Sequence, residues 1–112
     1  MRLALCLSVV IALSPLTAAA ASFDCTLPTL TPNELAICNN RDLNDADVQM
    51  VTTLNLLTGL FGMGRRGAIM DDQRAWLQSR MACGADVACI RESYARRLQD
   101  LQAVYDSIDR PL

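Results

Sequence analysis

Residues 73–101, QRAWLQSRMACGADVACIRESYARRLQDL, decide the fold. They read as a helix, a cysteine-flanked corner and a second helix. With Ile69 just ahead of it, the first helix sets Gln73, Trp76, Leu77 and Arg80 on one side, at spacings of three and four. It stops at Cys83-Gly84, because glycine accepts the left-handed conformation that closes a helix. Asp86 opens the next helix, its carboxylate able to accept a backbone N–H of the first turn. Beyond it Val87, Ile90, Tyr94, Leu98, Leu101, Val104 or Tyr105, and Ile108 form one stripe with a helical period. Cys83 and Cys89 stand on either side of the corner. The rest of the chain is expected to pack onto this hairpin.

Outward on the C-terminal side, the second helix of the hairpin is predicted to run from Val87 to about Asp109, with Pro111 as its stop. Outward on the other side, the first is predicted over about Ala68 to Cys83. It is preceded by a break over residues 59–67, GLFGMGRRG. Four glycines in nine residues are expected to prevent a stable helix there and to form a turn. This stretch has neither the Gly-Lys-Ser/Thr ending of a phosphate-binding loop nor a strand before it. A long helix is predicted from about residue 40–42 to Leu60, on the recurrence of Leu43, Met50, Leu54, Leu57 and Phe61. Asp47 falls on that same stripe. Thr31-Pro32-Asn33-Glu34 carries a capping box with proline at the first helical position, so a short helix should follow through Cys38 and end at Asn39-Asn40. Residues 22–30 read as an extended lead-in. No strand pattern and no internal repeat is present. The fold class is all-α: a small disulfide-stabilised bundle of three longer helices plus a short N-terminal one.

The first 21 residues read as a secretory signal rather than as part of the fold. Arg2 precedes an apolar run over residues 3–13, and small residues follow, with a small-x-small match for cleavage after Ala20 or Ala21. The run is shorter than the roughly 20 apolar residues of a membrane span, so no stable membrane anchor is expected after cleavage. Cys25 does not directly follow the small-residue motif, which argues against a lipid anchor. A single domain over residues 22–112 remains. Its nine Arg face twelve Asp plus Glu, a net charge of −3, and Lys and His are absent. An acidic balance of this kind argues against general nucleic-acid binding, which wants a basic surface.

Cys6 leaves with the signal, so the domain holds Cys25, Cys38, Cys83 and Cys89. Four cysteines allow three pairings. Cys25–Cys38 with Cys83–Cys89 is favoured, because each pair brackets a single turn or helix. A loop-closure estimate gives about 3 kcal/mol for the first and about 2.4 kcal/mol for the second. The spacings match neither a C-x-x-C redox pair nor a zinc finger, so disulfides are expected and no metal or other cofactor. A core this small is marginal, and exported domains of this size commonly use such cross-links.

Asp47, Arg80 and Arg97 lie on otherwise apolar faces. They suit a buried Asp–Arg pair, with bidentate geometry available, joining the long helix to the hairpin. The competing reading is a ligand-binding charge cluster. Trp76 and Tyr94 suit the core better than a sugar-stacking platform, and Glu34 suits a cap better than a catalytic acid. With no His to act as base, no nucleophile elbow and its carboxylates scattered, the chain is not expected to be an enzyme.

Taken in order, Phe23-Asp24-Cys25, Thr31-x-x-Glu34-x-x-Ile37-Cys38, Leu43-x-x-x-Asp47, Gln73-x-x-Trp76-Leu77-x-x-Arg80-x-x-Cys83, Cys89 and Tyr94-x-x-Arg97-Leu98 resemble the family of exported domains named for the N-terminal region of the LprI lysozyme inhibitor. The likeness covers residues 25 to about 101. The resemblance implies a small cysteine-bonded helical fold, periplasmic or secreted, and a binding module that inhibits a lysozyme-type muramidase by occupying its cleft. Members often carry an aromatic near Leu54 and an acidic residue near Met81, and this chain has neither. For such a module, Arg65 and Arg66 are the candidate partner-binding residues, because a muramidase cleft holds a pair of carboxylates. The alternative expectation is an envelope structural or interaction protein with a different partner.

Overall fold

Thr31 closes the start of α1 (Pro32–Asn39) as its sequence demands. Its hydroxyl accepts the Glu34 N–H at 3.2 Å, while the Glu34 carboxylate accepts the Thr31 N–H at 2.8 Å. Both donors would otherwise be orphans of the first turn. The chain belongs to a computed structural model that describes residues 22–109. The predicted leader over residues 1–21 and the Pro111 stop lie outside the described residues.

Asn40 ends α1 in extended backbone and leads directly into α2 (Arg41–Leu60). Leu43, Met50, Leu54 and Leu57 are buried along the predicted stripe, and Asp47 is buried among them. After α3 (Met63–Met81) the corner contains Gly84 at φ +56°, the left-handed position expected of it. A residue with a Cβ would be strained there. Asp86 then caps α4 (Val87–Asp106), accepting the Cys89 N–H at 3.2 Å. α4 ends three residues before the predicted 109, where the Ser107 hydroxyl turns back to donate to the Val104 carbonyl.

One boundary departs widely from expectation. The break predicted over residues 59–67 shrinks to Phe61-Gly62, and α3 begins at Met63 instead of Ala68. Gly64 and Gly67 are helical, and Arg65 and Arg66 belong to the first turns of α3 rather than to a glycine-rich loop. The predicted helix end at Cys83 likewise moves back to Met81. An interior glycine costs about 1 kcal/mol relative to alanine, so the two resist the helix by about 2 kcal/mol. Tertiary anchors oppose that cost. Arg66 donates from Nε to the Thr58 carbonyl at 2.8 Å and from Nη2 to the Phe61 carbonyl at 3.4 Å, tying α3 to orphan acceptors at the end of α2. The Arg65 guanidinium lies 4.9 Å from the centre of the Phe61 ring and donates to the Ser107 hydroxyl at 2.7 Å. Ile69, on the same helix, is buried in the core. A Cβ at Gly64 or Gly67 would meet nothing within 4 Å, so neither glycine is required for packing.

α2 and α4 form the principal contact, α1 lies across both, and α3 packs on α4 more than on α2. Ile37, Leu43, Met50, Leu57, Ile90, Tyr94 and Leu101 make the centre of the core. Two disulfides staple its margins: Cys25–Cys38 holds the lead-in to α1, and Cys83–Cys89 closes the corner. Cα separations are 5.8 and 5.6 Å. Of the three pairings, this is the one favoured on spacing. The disulfides point to an oxidising, non-cytoplasmic compartment. Among the described residues no helix is long and apolar enough to cross a membrane.

Candidate functional site

Four elements meet at the Asp47 carboxylate, which is wholly out of solvent. Its Oδ1 accepts the Tyr94 hydroxyl proton at 2.7 Å, and Tyr94 in turn accepts from Arg80 Nη1 at 3.0 Å. Arg80 Nη1 stands 3.8 Å from the same Oδ1. The expected buried Asp–Arg pair therefore takes Arg80 and not Arg97, a choice the residue pattern left open, and its geometry is corrected: it is bridged by a phenol rather than bidentate. The reason is that Arg80 spends Nε on Asn33, whose Oδ1 accepts at 3.0 Å, so the fork cannot also face the carboxylate squarely. Asn33 returns its amide protons to the carbonyls of Arg80 and Gly84, at 2.8 and 3.0 Å. The second carboxylate oxygen, Oδ2, faces the lead-in, where Ser22 donates from its hydroxyl at 2.6 Å and from its backbone N at 3.1 Å.

Arg97, grouped with Asp47 and Arg80 on sequence, is not bonded to them. It donates from Nε to the Gln73 Oε1 at 2.9 Å, and Gln73 contacts the Met50 sulfur at 3.3 Å. Its Nη2 is buried without a hydrogen-bond partner among the described residues. Burial lowers the pKa of this guanidinium, and Asp100 and Asp72 act against that. Trp76 donates its ring N–H to the Ser93 carbonyl at 3.1 Å and meets the Tyr94 ring edge-on, with centroids 5.2 Å apart. The Arg80 guanidinium is 5.5 Å from the Trp76 ring centre. A sugar ring cannot reach Tyr94, which is 1 % exposed. This constellation binds helices to one another.

Burial pushes the Tyr94 hydroxyl well above the ordinary tyrosine range; Arg80 opposes the shift, and Asp47 adds to it. Above about pH 10 the unfolded chain gives up this proton while the folded chain keeps it, so stability falls as pH rises, by about 1.4 kcal/mol per pH unit. Unfolding free energies measured by denaturant from pH 8 to 11 should show that loss. In Tyr94→Phe it should be absent, and the variant should be weaker by about 1–3 kcal/mol at pH 8 because Asp47 loses a buried donor.

The surface features lie elsewhere. Arg65 and Arg66 are exposed, and among the described residues neither is in an ion pair. They flank the α2–α3 corner with Leu60 and Met63, which are 62 % and 88 % exposed. Next to that corner an apolar groove of about 420 Å³ runs between α2 and α4, lined by Thr53, Leu56, Leu57, Leu60, Gln102 and Tyr105. Among the described residues no group of three or more His, Cys, Asp or Glu is arranged to hold a metal ion.

Sequence reasoning missed Asn33, Ser93 and Ser22. Asn33 sits inside a capping box and reads as a spacer, and no pattern within one sequence links it to Arg80, 47 positions away. Compared with known proteins, the chain matches no family model, no curated protein and no solved structure.

Proposed function

We propose that this chain is an exported binding module that inhibits a lysozyme-type muramidase, with the α2–α3 corner as its contact surface. The observation that carries this reading is the pairing of exposed Leu60 and Met63 with an Arg that has no carboxylate partner among the described residues. A muramidase cleft offers a carboxylate pair to such a cation. The resemblance carried by Trp76, Arg80, Cys83, Cys89 and Tyr94 supports the same assignment. So do the leader-like residues 1–21, which would deliver the domain to the periplasm or outside the cell, and the disulfides, which suit that destination. No catalytic role is assigned to any residue.

The two arginines divide the work. Arg65 makes one exposed hydrogen bond to Ser107 and one exposed cation–π contact with Phe61, and gives both up for about 1 kcal/mol on turning outward. Arg66 holds the end of α2. Turbidity clearing of a peptidoglycan suspension by several lysozyme types, with and without the oxidised protein, tests the reading. Saturable inhibition of one type at near-stoichiometric ratio is expected. Arg65→Ala should weaken it at least about tenfold, equivalent to about 1.4 kcal/mol, while lowering the melting temperature by no more than about 4 °C. Arg66→Ala should lower the melting temperature, through loss of a bond to a helix end worth about 1 kcal/mol. Failure of the folded protein to inhibit any lysozyme type would overturn the assignment.

The groove beside Leu56 and Tyr105 favours a second reading, an envelope interaction protein whose partner presents an apolar segment. Under that reading Leu56→Asp abolishes capture of the partner from envelope extracts and lysozymes are unaffected.

A further inference from the structure

We infer that the groove between α2 and α4 seats a second copy of this chain, with the two α2 helices antiparallel about a two-fold axis that passes beside Leu56. The inference stands apart from both functional readings. Residues 48–64 carry no Asp, Glu, Lys or Arg, the longest such run among the described residues. The three most exposed large apolar side chains described all fall within it: Met63 at 88 %, Leu56 at 68 % and Leu60 at 62 %. A helix side that faced only water would carry charge. Leu56 stands at the rim of the groove, Leu57 is buried at its floor, and Gln102 and Tyr105 of α4 form the opposite wall. A projecting leucine beside an apolar hollow is self-complementary under two-fold symmetry, because each copy's Leu56 enters the other copy's groove.

Charge selects the occupant. The chain is acidic overall, so two copies repel, and this face has no charge of its own to add to that. The ends of the face differ in sign. Asp45, Gln49, Thr52, Leu56 and Leu60 follow one another along α2 at spacings of four, three, four and four, one outward stripe with a carboxylate at its start. Beyond its other end stands Arg65, exposed and in no ion pair among the described residues. Asp45 is held only by Arg41 at 3.9 Å, with both side chains largely in solvent. With Leu56 at the axis, Thr52 of one copy lies against Leu60 of the other, and Asp45 lies at the corner that carries Arg65. A parallel pairing would set Asp45 against Asp45. A foreign apolar segment would fill the hollow with no use for Asp45 at one end and Arg65 at the other. The length of α2 is about 30 Å and a face two helices wide is about 20 Å across, so each copy covers about 600 Å². That is the lower end for a specific pair, and it predicts a reversible dimer rather than an obligate one.

Sedimentation equilibrium of the oxidised protein, recovered from expression of the full chain, tests the pairing. Between about 2 and about 200 µM the weight-average mass should rise from one chain to nearly two, as micromolar affinity requires. Leu56→Asp sets two like charges at the axis and should remain a single chain at the top of that range. Its melting temperature at low concentration should stay within about 4 °C of the unsubstituted protein's, because the side chain is exposed. Asp45→Arg should raise the dissociation constant at least about threefold, and adding Arg65→Asp should restore it. The four native cysteines of the described residues are bonded, so an introduced cysteine reacts alone. Thr52→Cys and Leu60→Cys variants, mixed and treated with a short bis-maleimide, should cross-link to each other more than either does to itself. A single-chain mass at the highest concentration overturns the inference and leaves the groove to a foreign partner. So does a dimer that Leu56→Asp does not weaken, or cross-linking in which each variant couples best to itself. None of these outcomes touches the muramidase assignment, which the turbidity assay decides.

Discussion

Asp47→Ala is expected to cost about 3–5 kcal/mol of folding free energy, enough to leave a domain of this size largely unfolded at physiological temperature. The magnitude follows from what the substitution leaves behind. Arg80 is 4 % exposed, and the Asp47 carboxylate is the anion it faces. Without it, a guanidinium stays in the core with only Asn33 and Tyr94 as neutral acceptors. The same change strips an acceptor from the Tyr94 hydroxyl and from both donors of Ser22. Denaturant unfolding monitored by the single Trp, Trp76, reads the loss, since that ring packs against Arg80 and Tyr94. The double substitution Asp47→Leu with Arg80→Met should recover part of the stability, because apolar side chains remove both charges, while the Tyr94 hydroxyl and the Asn33 carbonyl oxygen still lose partners. A loss under about 1 kcal/mol in Asp47→Ala would mean that water reaches the carboxylate in the native state.

Replacing Cys25 and Cys38 together with serine should cost about 3 kcal/mol, from the restored freedom of the unfolded chain. This bond spans 13 positions and closes the larger of the two loops. Its loss should exceed that at Cys83–Cys89, about 2.4 kcal/mol, and it has a further consequence. Cys25 is three residues from Ser22, so the bond holds the lead-in where Ser22 reaches Asp47. The doubly substituted protein should therefore show rapid amide exchange over residues 22–30 even under conditions where α2 and α4 remain protected. Equal protection of the lead-in with and without the disulfide would show that the Ser22–Asp47 bonds alone keep it in place.

These two expectations draw on features of different legibility. The disulfide pairing was readable because each cysteine pair brackets one local element, and chain connectivity keeps such partners close before any packing occurs. That Asp47 would pair with an arginine was readable for another reason, though not which one: a charge on an apolar helical stripe has to be answered by an opposite charge. Its geometry was not readable. Tyr94 as bridge, Asn33 as holder of the guanidinium and Ser22 as outer cap come from three separate segments, and side chains of those types are common on helices that do nothing of the kind. Arg97 had the same signature as Arg80 and was sorted to Gln73 instead, because the two arginines stand on different helices: Arg97 reaches from α4 to Gln73 of α3, and Arg80 from α3 to Tyr94 of α4.

Four helices, their caps at Thr31 and Asp86, the left-handed corner at Gly84, the favoured cross-links and most of the core stripe were legible in the order of residues alone. Each rests on interactions within a few residues: a periodicity, a hydroxyl over a free N–H, a missing Cβ, a short loop. Where α3 begins, which partner each buried polar group takes, and that Arg66 holds a helix end while Arg65 makes only exposed contacts depended on packing between distant segments. Glycine's preference against helix is worth about 1 kcal/mol per residue, and anchors drawn from the end of α2 and the core overcame it at Gly64 and Gly67. A local propensity of that size decides a boundary only when nothing distant competes with it.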